Sequence, residues 1–259
     1  MLSGDIVVGD LNGHQSVILR GRWILASLIL VAVLVLARTL FAQTSPIRSI
    51  PKTQAGIFPR DLSGVWMERQ NTTSFGSQEP PFQPWAEEKY KSVKPGYGPR
   101  ATPNSEDPIL NCLPPGVPRI MLIPFPMQVI QVPGEVIMLF EYDHYVRHIY
   151  LDRREHPKEL DLTWMGDSIG WWEGNTLVVD TAGLNDKTWL DQVGHPHSDA
   201  LHVVERFRRI DHDTLQDDLT IDDPKAYKKP WTGRQVFKLR PTWRLLEYVC
   251  TGDRQGARK

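Results

Sequence analysis

The chain has 259 residues, of which 41% are hydrophobic and 24% charged, and its formal net charge at pH 7 is −1. This composition is typical of a globular protein, and the length allows one large domain or two small ones. The basic residues form no long runs. This argues against nucleic acid as a partner, because nonspecific binding to phosphates needs a basic surface.

The N-terminal region contains an uncharged apolar segment, residues 23–37, preceded by Arg20 and Arg22. A membrane-spanning helix needs roughly 20 apolar residues, whereas the core of a signal peptide needs only about 7–15. The segment has 15 residues, which favours a cleaved signal peptide over residues 1–42. The alternatives are an uncleaved anchor over residues 23–41 and a buried helix of a soluble domain. We therefore expect export to the periplasm or the extracellular space, with membrane contact only through this segment.

Residues 127–152 carry the clearest β pattern in the sequence. Three β-rich runs are joined by two-residue turns at 133–134 and 143–144, which predicts an antiparallel meander. The other predicted elements are a short helix at 84–91 and strands at 63–68, 168–172, 175–181, 201–210, 214–222, 234–240 and 243–250.

The predicted domain organisation places a polar linker at residues 43–62, a single β-rich domain at 63–250 and a polar tail at 251–259. Residues 71–118 are rich in Pro, Gly, Ser and Asn and are predicted to form a long covering loop near the N-terminus of the domain. Short strands separated by turn residues predict a mostly β fold with little helix, either an antiparallel barrel or a sandwich.

Several stretches of the sequence resemble those of a known family. They are DLSGVW at 61–66, NCLPPGVPR at 111–119, WMGDSIGWWEGNTLVVDT at 164–181, HPHS at 195–198 and ERFRR at 205–209. Together they resemble a family of exported bacterial β-rich proteins without an established activity. The resemblance covers nearly all of residues 61–250, and it implies nothing about the chemistry.

A more remote resemblance concerns Gly64-Val65-Trp66, which is similar to the Gly-x-Trp start of lipocalin-like barrels. In those barrels the tryptophan closes the floor. This resemblance implies a lipocalin-like barrel, with a sandwich as the alternative.

The chain has two cysteines, Cys112 and Cys250. Export would bring them into an oxidising compartment, and an even number suits pairing, so we predict a disulfide between them. The alternative is two buried free thiols. A zinc site is not indicated, because zinc-binding cysteines usually lie close together in the sequence.

The densest group of chemically active side chains contains His195, His197, His202 and Glu205. The three histidines are candidate catalytic acid–base groups, because the pKa of histidine lies near neutrality. They are also candidate metal ligands, but their spacing matches no established ligand motif, so the sequence specifies neither a metal nor a cofactor. The alternative is a hydrogen-bonded loop over the mouth of a barrel.

A second group of residues lies on or next to the predicted strands. Charged side chains at core-facing positions must be paired or hydrogen-bonded, and aromatic side chains line both pockets and β cores. We predict that these residues bind a ligand, a structural ion pair being the alternative for the charged ones. The candidate ligand-binding residues are Glu141, Arg147, Tyr150, Trp189, Glu205 and Arg206.

Three classes of function follow from these patterns. The first is a protein that binds a small apolar or aromatic ligand inside a barrel, and the second is an enzyme that uses the same cavity with histidine acid–base or metal chemistry. The third is a structural envelope protein with a filled core. We expect the functional centre in residues 189–206, facing the meander at 137–152, because loops on rigid β scaffolds commonly carry function.

Overall fold

Nine β-strands close into a barrel in the computed structural model, which describes residues 60–70, 72–76, 78–152 and 155–251. The predicted signal peptide or anchor, and most of the predicted linker and tail, lie outside these residues. The strands are β1 (Gly64–Glu68), β2 (Met127–Val132), β3 (Glu135–Phe140), β4 (Val146–Tyr150), β5 (Asp167–Glu173), β6 (Thr176–Ala182), β7 (His202–Asp211), β8 (Thr214–Asp222) and β9 (Trp231–Leu239). The predicted β-barrel with little helix is confirmed, and the sandwich alternative is wrong. A lipocalin-like identity stays a prediction.

The helix α1 (Pro84–Ser92) lies between β1 and β2, where the sequence predicts it. Pro84 occupies its first turn, and Glu87 and Lys91 form an i,i+4 ion pair of 2.5 Å. None of the helices in the described part of the chain has the length and apolar character needed to span a membrane. Three short 3-10 helices lie at Pro108–Asn111, Arg119–Leu122 and Tyr142–His144.

The strands follow one another around the barrel in chain order, and β1 pairs with β9 to close it. Strands β2, β3 and β4 form the predicted meander. Among the nine described strands, only β4 and β5 pair in parallel, through Ile149 with Ser168 and Tyr150 with Ile169. Parallel neighbours need a crossover connection, which residues 151–166 provide. The barrel is therefore mixed, whereas the sequence predicted a fully antiparallel one.

The strand predicted at residues 243–250 is wrong. Strand β9 ends at Leu239, and the chain from Pro241 to the end of the described region joins no ladder. Both edges of β9 are already paired, one with β8 and the other with β1. A closed barrel has no free edge for a tenth strand.

Residues 241–251 instead form an extended segment that we call the C-terminal strap. The predicted disulfide between Cys112 and Cys250 is confirmed, with the two Cα atoms 5.6 Å apart. Tyr248 packs its ring against Phe125, with 4.5 Å between the ring centroids. The strap is thus held by one covalent bond and by aromatic packing.

Trp66 lies near the barrel end at which short hairpins join β2 to β3, β5 to β6 and β7 to β8. Its side chain is fully buried, and its Nε1 donates a hydrogen bond to the Leu62 carbonyl at 2.9 Å. The guanidinium of Arg209 lies 5.3 Å from the centre of the Trp66 ring. These residues close this end of the barrel.

Three long connections leave the opposite end of the barrel, and we call them the cap: residues 78–126, 183–201 and 223–230. They are tied to one another by hydrogen bonds. The Tyr227 hydroxyl donates to the Pro196 carbonyl at 2.6 Å, which joins the third connection to the second. The cap is therefore a built structure that can position side chains.

Candidate functional site

The barrel interior holds a buried ion pair between β4 and β7. Arg147 and Glu205 are 1% and 0% exposed. Nη1 of Arg147 donates to Oε1 of Glu205 at 3.0 Å, and Nη2 donates to Oε2 of the same carboxylate. Nε donates to the Ser168 hydroxyl at 3.2 Å, and Nη2 also donates to the Thr181 hydroxyl at 2.8 Å. Every guanidinium nitrogen has a partner, as a charge removed from water requires.

Asp217 on β8 is a third interior residue that the sequence analysis did not single out. It shares the inward face of the strand with Leu215 and Leu219, and this period of two is the signal that could have identified it. Asp217 is fully buried, and neither carboxylate oxygen makes a well-formed hydrogen bond within the described chain. Burial, reinforced by the charge of Glu205, raises the pKa of Asp217 well above 3.8 although Arg147 opposes the shift. Its surroundings therefore favour the neutral carboxylic acid over the carboxylate.

His195 lies in the cap between two carboxylates. Its Nδ1 is 2.5 Å from Oδ2 of the buried Asp191, and its Nε2 is 3.2 Å from Oε2 of Glu79. Its ring stacks on Tyr90, with 4.7 Å between centroids. Burial lowers the pKa of His195, but the charges and hydrogen bonds of Asp191 and Glu79 outweigh burial and raise it. Because both ring nitrogens are engaged, this histidine fastens the cap and leaves no nitrogen free for a ligand.

His197 has the opposite environment. Its Nδ1 lies 3.2 Å from the Ser198 carbonyl, which can only accept, so Nδ1 carries the proton and Nε2 does not. This Nε2 is buried and has no hydrogen-bond partner in the described chain. Burial lowers the pKa of His197, so the ring is neutral at pH 7. His197 therefore holds a buried lone pair that is free to accept a hydrogen bond.

A cleft of ≈ 470 Å³ lies in the cap, and His197 is part of its lining. The cleft is bordered by α1 on one side and by the connection between β6 and β7 on the other. Two of the predicted site residues, Trp189 and His197, come together here. The lining includes Trp85, Lys89, Asp186, Lys187, Trp189 and His197.

His202 lies elsewhere, at the outward-facing start of β7, and its Nε2 is hydrogen-bonded to Oδ1 of Asp180. The same oxygen is 3.4 Å from Nε2 of His156. Nδ1 of His156 is in turn 2.8 Å from Oδ1 of Asp167. Imidazoles and carboxylates thus alternate along the outer face of β5 to β7.

We predict a pH dependence of stability that arises from His202. The hydrogen bond and charge of Asp180 raise the pKa of His202 above 6.5, against the effect of burial, and Asp222 adds to this. The stabilisation by protonated His202 is complete below the unfolded pKa and is lost as the pH rises through the higher folded pKa. Asp180 stays ionised throughout, because His202 and His156 together outweigh the effect of burial and lower its pKa.

The measurement is the free energy of unfolding in urea between about pH 5.5 and pH 8.5, for the wild type and His202→Gln. We expect the substitution to reduce stability clearly at the acidic end and much less at the alkaline end. An equal loss at both ends would contradict the assignment of this pH dependence to His202.

Three predicted ligand-binding residues lie apart from the cleft and from the interior pair. Glu141 accepts a hydrogen bond at 2.8 Å from a backbone N–H of the C-terminal strap. Tyr150 packs against His148, with 6.2 Å between ring centroids. Arg206 faces outward beside a surface groove and pairs with Glu173 at 2.7 Å. The predicted site is therefore divided among the cap cleft, the barrel interior and the outer surface.

The predicted histidines do not converge on one point, since His195, His197 and His202 have separate surroundings. Among the residues that the structure describes, no group of three or more His, Cys, Asp or Glu side chains is arranged to hold a metal ion. Metal binding by these histidines therefore has no ligand set to support it.

No protein-family model matches the chain, and neither do any curated protein or any solved structure. A barrel does not by itself indicate a function, because one fold hosts many unrelated activities. The chemistry of the cap cleft is therefore the basis for a functional assignment.

Proposed function

We propose that the protein is exported and binds a small aromatic or apolar ligand in the cap cleft. The observation that carries this proposal is Nε2 of His197, a buried acceptor without a partner on a residue that lines the cleft. An unsatisfied buried acceptor costs free energy. A ligand with a hydroxyl or N–H group would remove that cost on binding.

The size and walls of the cleft support the same proposal. Its volume of ≈ 470 Å³ is within the range of small-molecule sites, roughly 300–1,000 Å³. The indole N–H of Trp85 donates to the Lys225 carbonyl at 2.5 Å, which fixes the orientation of that ring. Behind the second ring, Trp189, the guanidinium of Arg119 lies 5.8 Å from the ring centre. Two rings held in this way offer an aromatic surface at little entropic cost.

The barrel interior is the weaker candidate for the ligand site. The inward-facing side chains of Trp66, Met138 and Phe207 are each 0% exposed and belong to one packed core. The Arg147–Glu205 pair lies at inward-facing positions as well, with its hydrogen bonds satisfied. We therefore place the ligand in the cap and not in the barrel.

Export is supported by the disulfide between Cys112 and Cys250. Such bonds persist in oxidising compartments and are rare in the reducing cytosol. The apolar segment at residues 23–37 suits the same route, either as a signal peptide or as an anchor.

We expect Trp85→Ala to weaken the binding of an aromatic ligand by about tenfold, because an aromatic contact contributes about 0.5–1.5 kcal/mol beyond its buried area. The matched control is Trp171→Ala. The two side chains are 43% and 41% exposed, each indole N–H makes one hydrogen bond, and Trp171 lies on β5 outside the cleft.

The measurement is calorimetric titration of the purified protein with a panel of small aromatic and apolar compounds. The proposal expects at least one compound to bind, with its affinity reduced in Trp85→Ala and kept in Trp171→Ala. An affinity that is unchanged in both variants would place the ligand outside the cap cleft.

A second candidate function, an enzyme acting on the same ligand, is favoured by the state of His197. A neutral imidazole with a free Nε2 can act as a general base near pH 7. Product analysis after the titration tests it: conversion of the ligand that is lost in His197→Gln while binding persists would favour the enzyme over the binding protein.

A further inference from the structure

The charges around the cap cleft indicate which class of ligand it takes, provided that the proposed function holds. Lys89 and Lys187 line the cleft, and neither ammonium has an anionic partner among the described residues. Glu106 also lines it but is already paired with Lys94 at 2.9 Å. Asp186 is the remaining acidic residue of the lining. Among the described residues, the lining thus carries two lysines and one aspartate without an ion-pair partner.

Hydrogen-bonding capacity distinguishes His197 from the lysines of the same lining. Its Nε2 is a buried acceptor without a partner in the described chain, whereas each lysine ammonium can only donate. The acceptor therefore suits a hydroxyl or N–H donor, and the lysines suit an anion.

We infer that the ligand is an aromatic carboxylate that also carries a hydroxyl group. The carboxylate is bound by Lys89 and Lys187. The ring packs against Trp85 and Trp189. The hydroxyl donates a hydrogen bond to Nε2 of His197, which accepts because its other nitrogen holds the proton. Each group of this ligand meets a side chain that lacks that kind of partner in the part of the chain that the structure describes.

The test uses three probes that share one ring: 4-hydroxybenzoate, the neutral 4-hydroxybenzamide, and benzoate, which lacks the hydroxyl. Calorimetric titration should give at least about tenfold tighter binding of 4-hydroxybenzoate than of either other probe. Raising the salt concentration should weaken binding of the acid and leave binding of the amide unchanged.

Two double variants distinguish an effect of the lysines that line the cleft from an effect of lysines elsewhere on the surface. Lys89→Met with Lys187→Met should weaken the binding of 4-hydroxybenzoate by about tenfold or more and leave the binding of 4-hydroxybenzamide unchanged. Lys158→Met with Lys229→Met removes two lysines outside the lining and should leave the affinities for both compounds unchanged. All four lysines are exposed, so these substitutions leave the folded core intact.

The role of His197 is tested by His197→Phe, which should remove the preference for 4-hydroxybenzoate over benzoate. The inference would be overturned if the wild type bound the acid and the amide with equal affinity. It would also be overturned if Lys89→Met with Lys187→Met left the affinity for the acid unchanged. If neutral aromatic compounds then still bind in a manner sensitive to Trp85→Ala, the proposed function survives without it. If no aromatic compound binds, charged or neutral, both fail.

Discussion

Replacing Arg147 with methionine is expected to destabilise the protein by about 3–5 kcal/mol, the usual cost of removing one partner of a buried ion pair. The loss comes mainly from Glu205, which is 0% exposed and would keep a charge that, among the described residues, Arg147 alone balances. Asp217, which is also buried, cannot take over this role, because a carboxyl group carries no positive charge. The measurement is the free energy of unfolding in urea.

Arg206→Met is the matched control. Arg206 follows Glu205 on β7, and its side chain points to the opposite side of the sheet. Its pair with Glu173 has side chains 45% and 48% exposed, and such surface pairs contribute only about 0–1 kcal/mol. The double variant Arg147→Met with Glu205→Leu should recover most of the lost stability, because no unpaired charge then stays buried. Equal losses for Arg147→Met and Arg206→Met would show that the interior pair is not the strong interaction that its burial implies.

The local structure of the barrel could be predicted from the sequence because it depends on neighbouring residues. Alternating side chains define β2, β3 and β4, and the predicted two-residue turn joins β2 to β3, whereas the connection from β3 to β4 is longer and contains a 3-10 helix. The turn between β3 and β4 places Asp143 and His144 at φ values of 52° and 56°, as a tight turn between antiparallel strands requires. The same alternation places Arg147 on one face of its strand with Ile149, but whether Glu205 or Arg206 points inward is decided only by the folded chain.

The pairing of distant strands could not be predicted in this way. No local pattern specifies that β5 lies parallel to β4, since that contact depends on the path of residues 151–166. Closure of the barrel also depends on contacts between residues far apart in the sequence. This is why a strand was wrongly predicted at residues 243–250. That segment has the composition of a strand, but β1 already occupies the edge it would need.

The lining of the candidate cleft could be predicted only in part. Residue types identified His195 and His197 as candidates, but only the folded chain distinguishes them, because Asp191 and Glu79 engage both nitrogens of His195. The lysines and Trp85 of the cleft were missed. Their contribution depends on how α1 packs in the cap, which the sequence of the helix does not specify.

Removal of the disulfide by Cys112→Ser with Cys250→Ser is expected to lower the free energy of unfolding by about 4–5 kcal/mol, the upper value of the chain-entropy model for so long a loop. The two cysteines are 138 residues apart, and β2 to β9 all lie between them. The bridge therefore restricts the unfolded chain over most of the barrel. The folded strap keeps other contacts, including the Cys250 N–H, which donates to Oδ1 of Asp143 at 3.2 Å.

Urea unfolding of the variant and of the oxidised wild type shows whether the bridge stabilises the whole domain or only the C-terminal strap. If the bridge acts on the unfolded chain, the variant unfolds at lower urea and with a steeper slope, because its unfolded state exposes more surface. Tyr248→Ala is the control: it removes the packing on Phe125 but keeps the bridge, and should leave the slope unchanged. Unchanged stability and slope in the cysteine variant, with only the strap becoming accessible to protease, would show that the bridge secures the strap alone. In that case the barrel hydrogen bonds and the Arg147–Glu205 pair would account for the global stability without it.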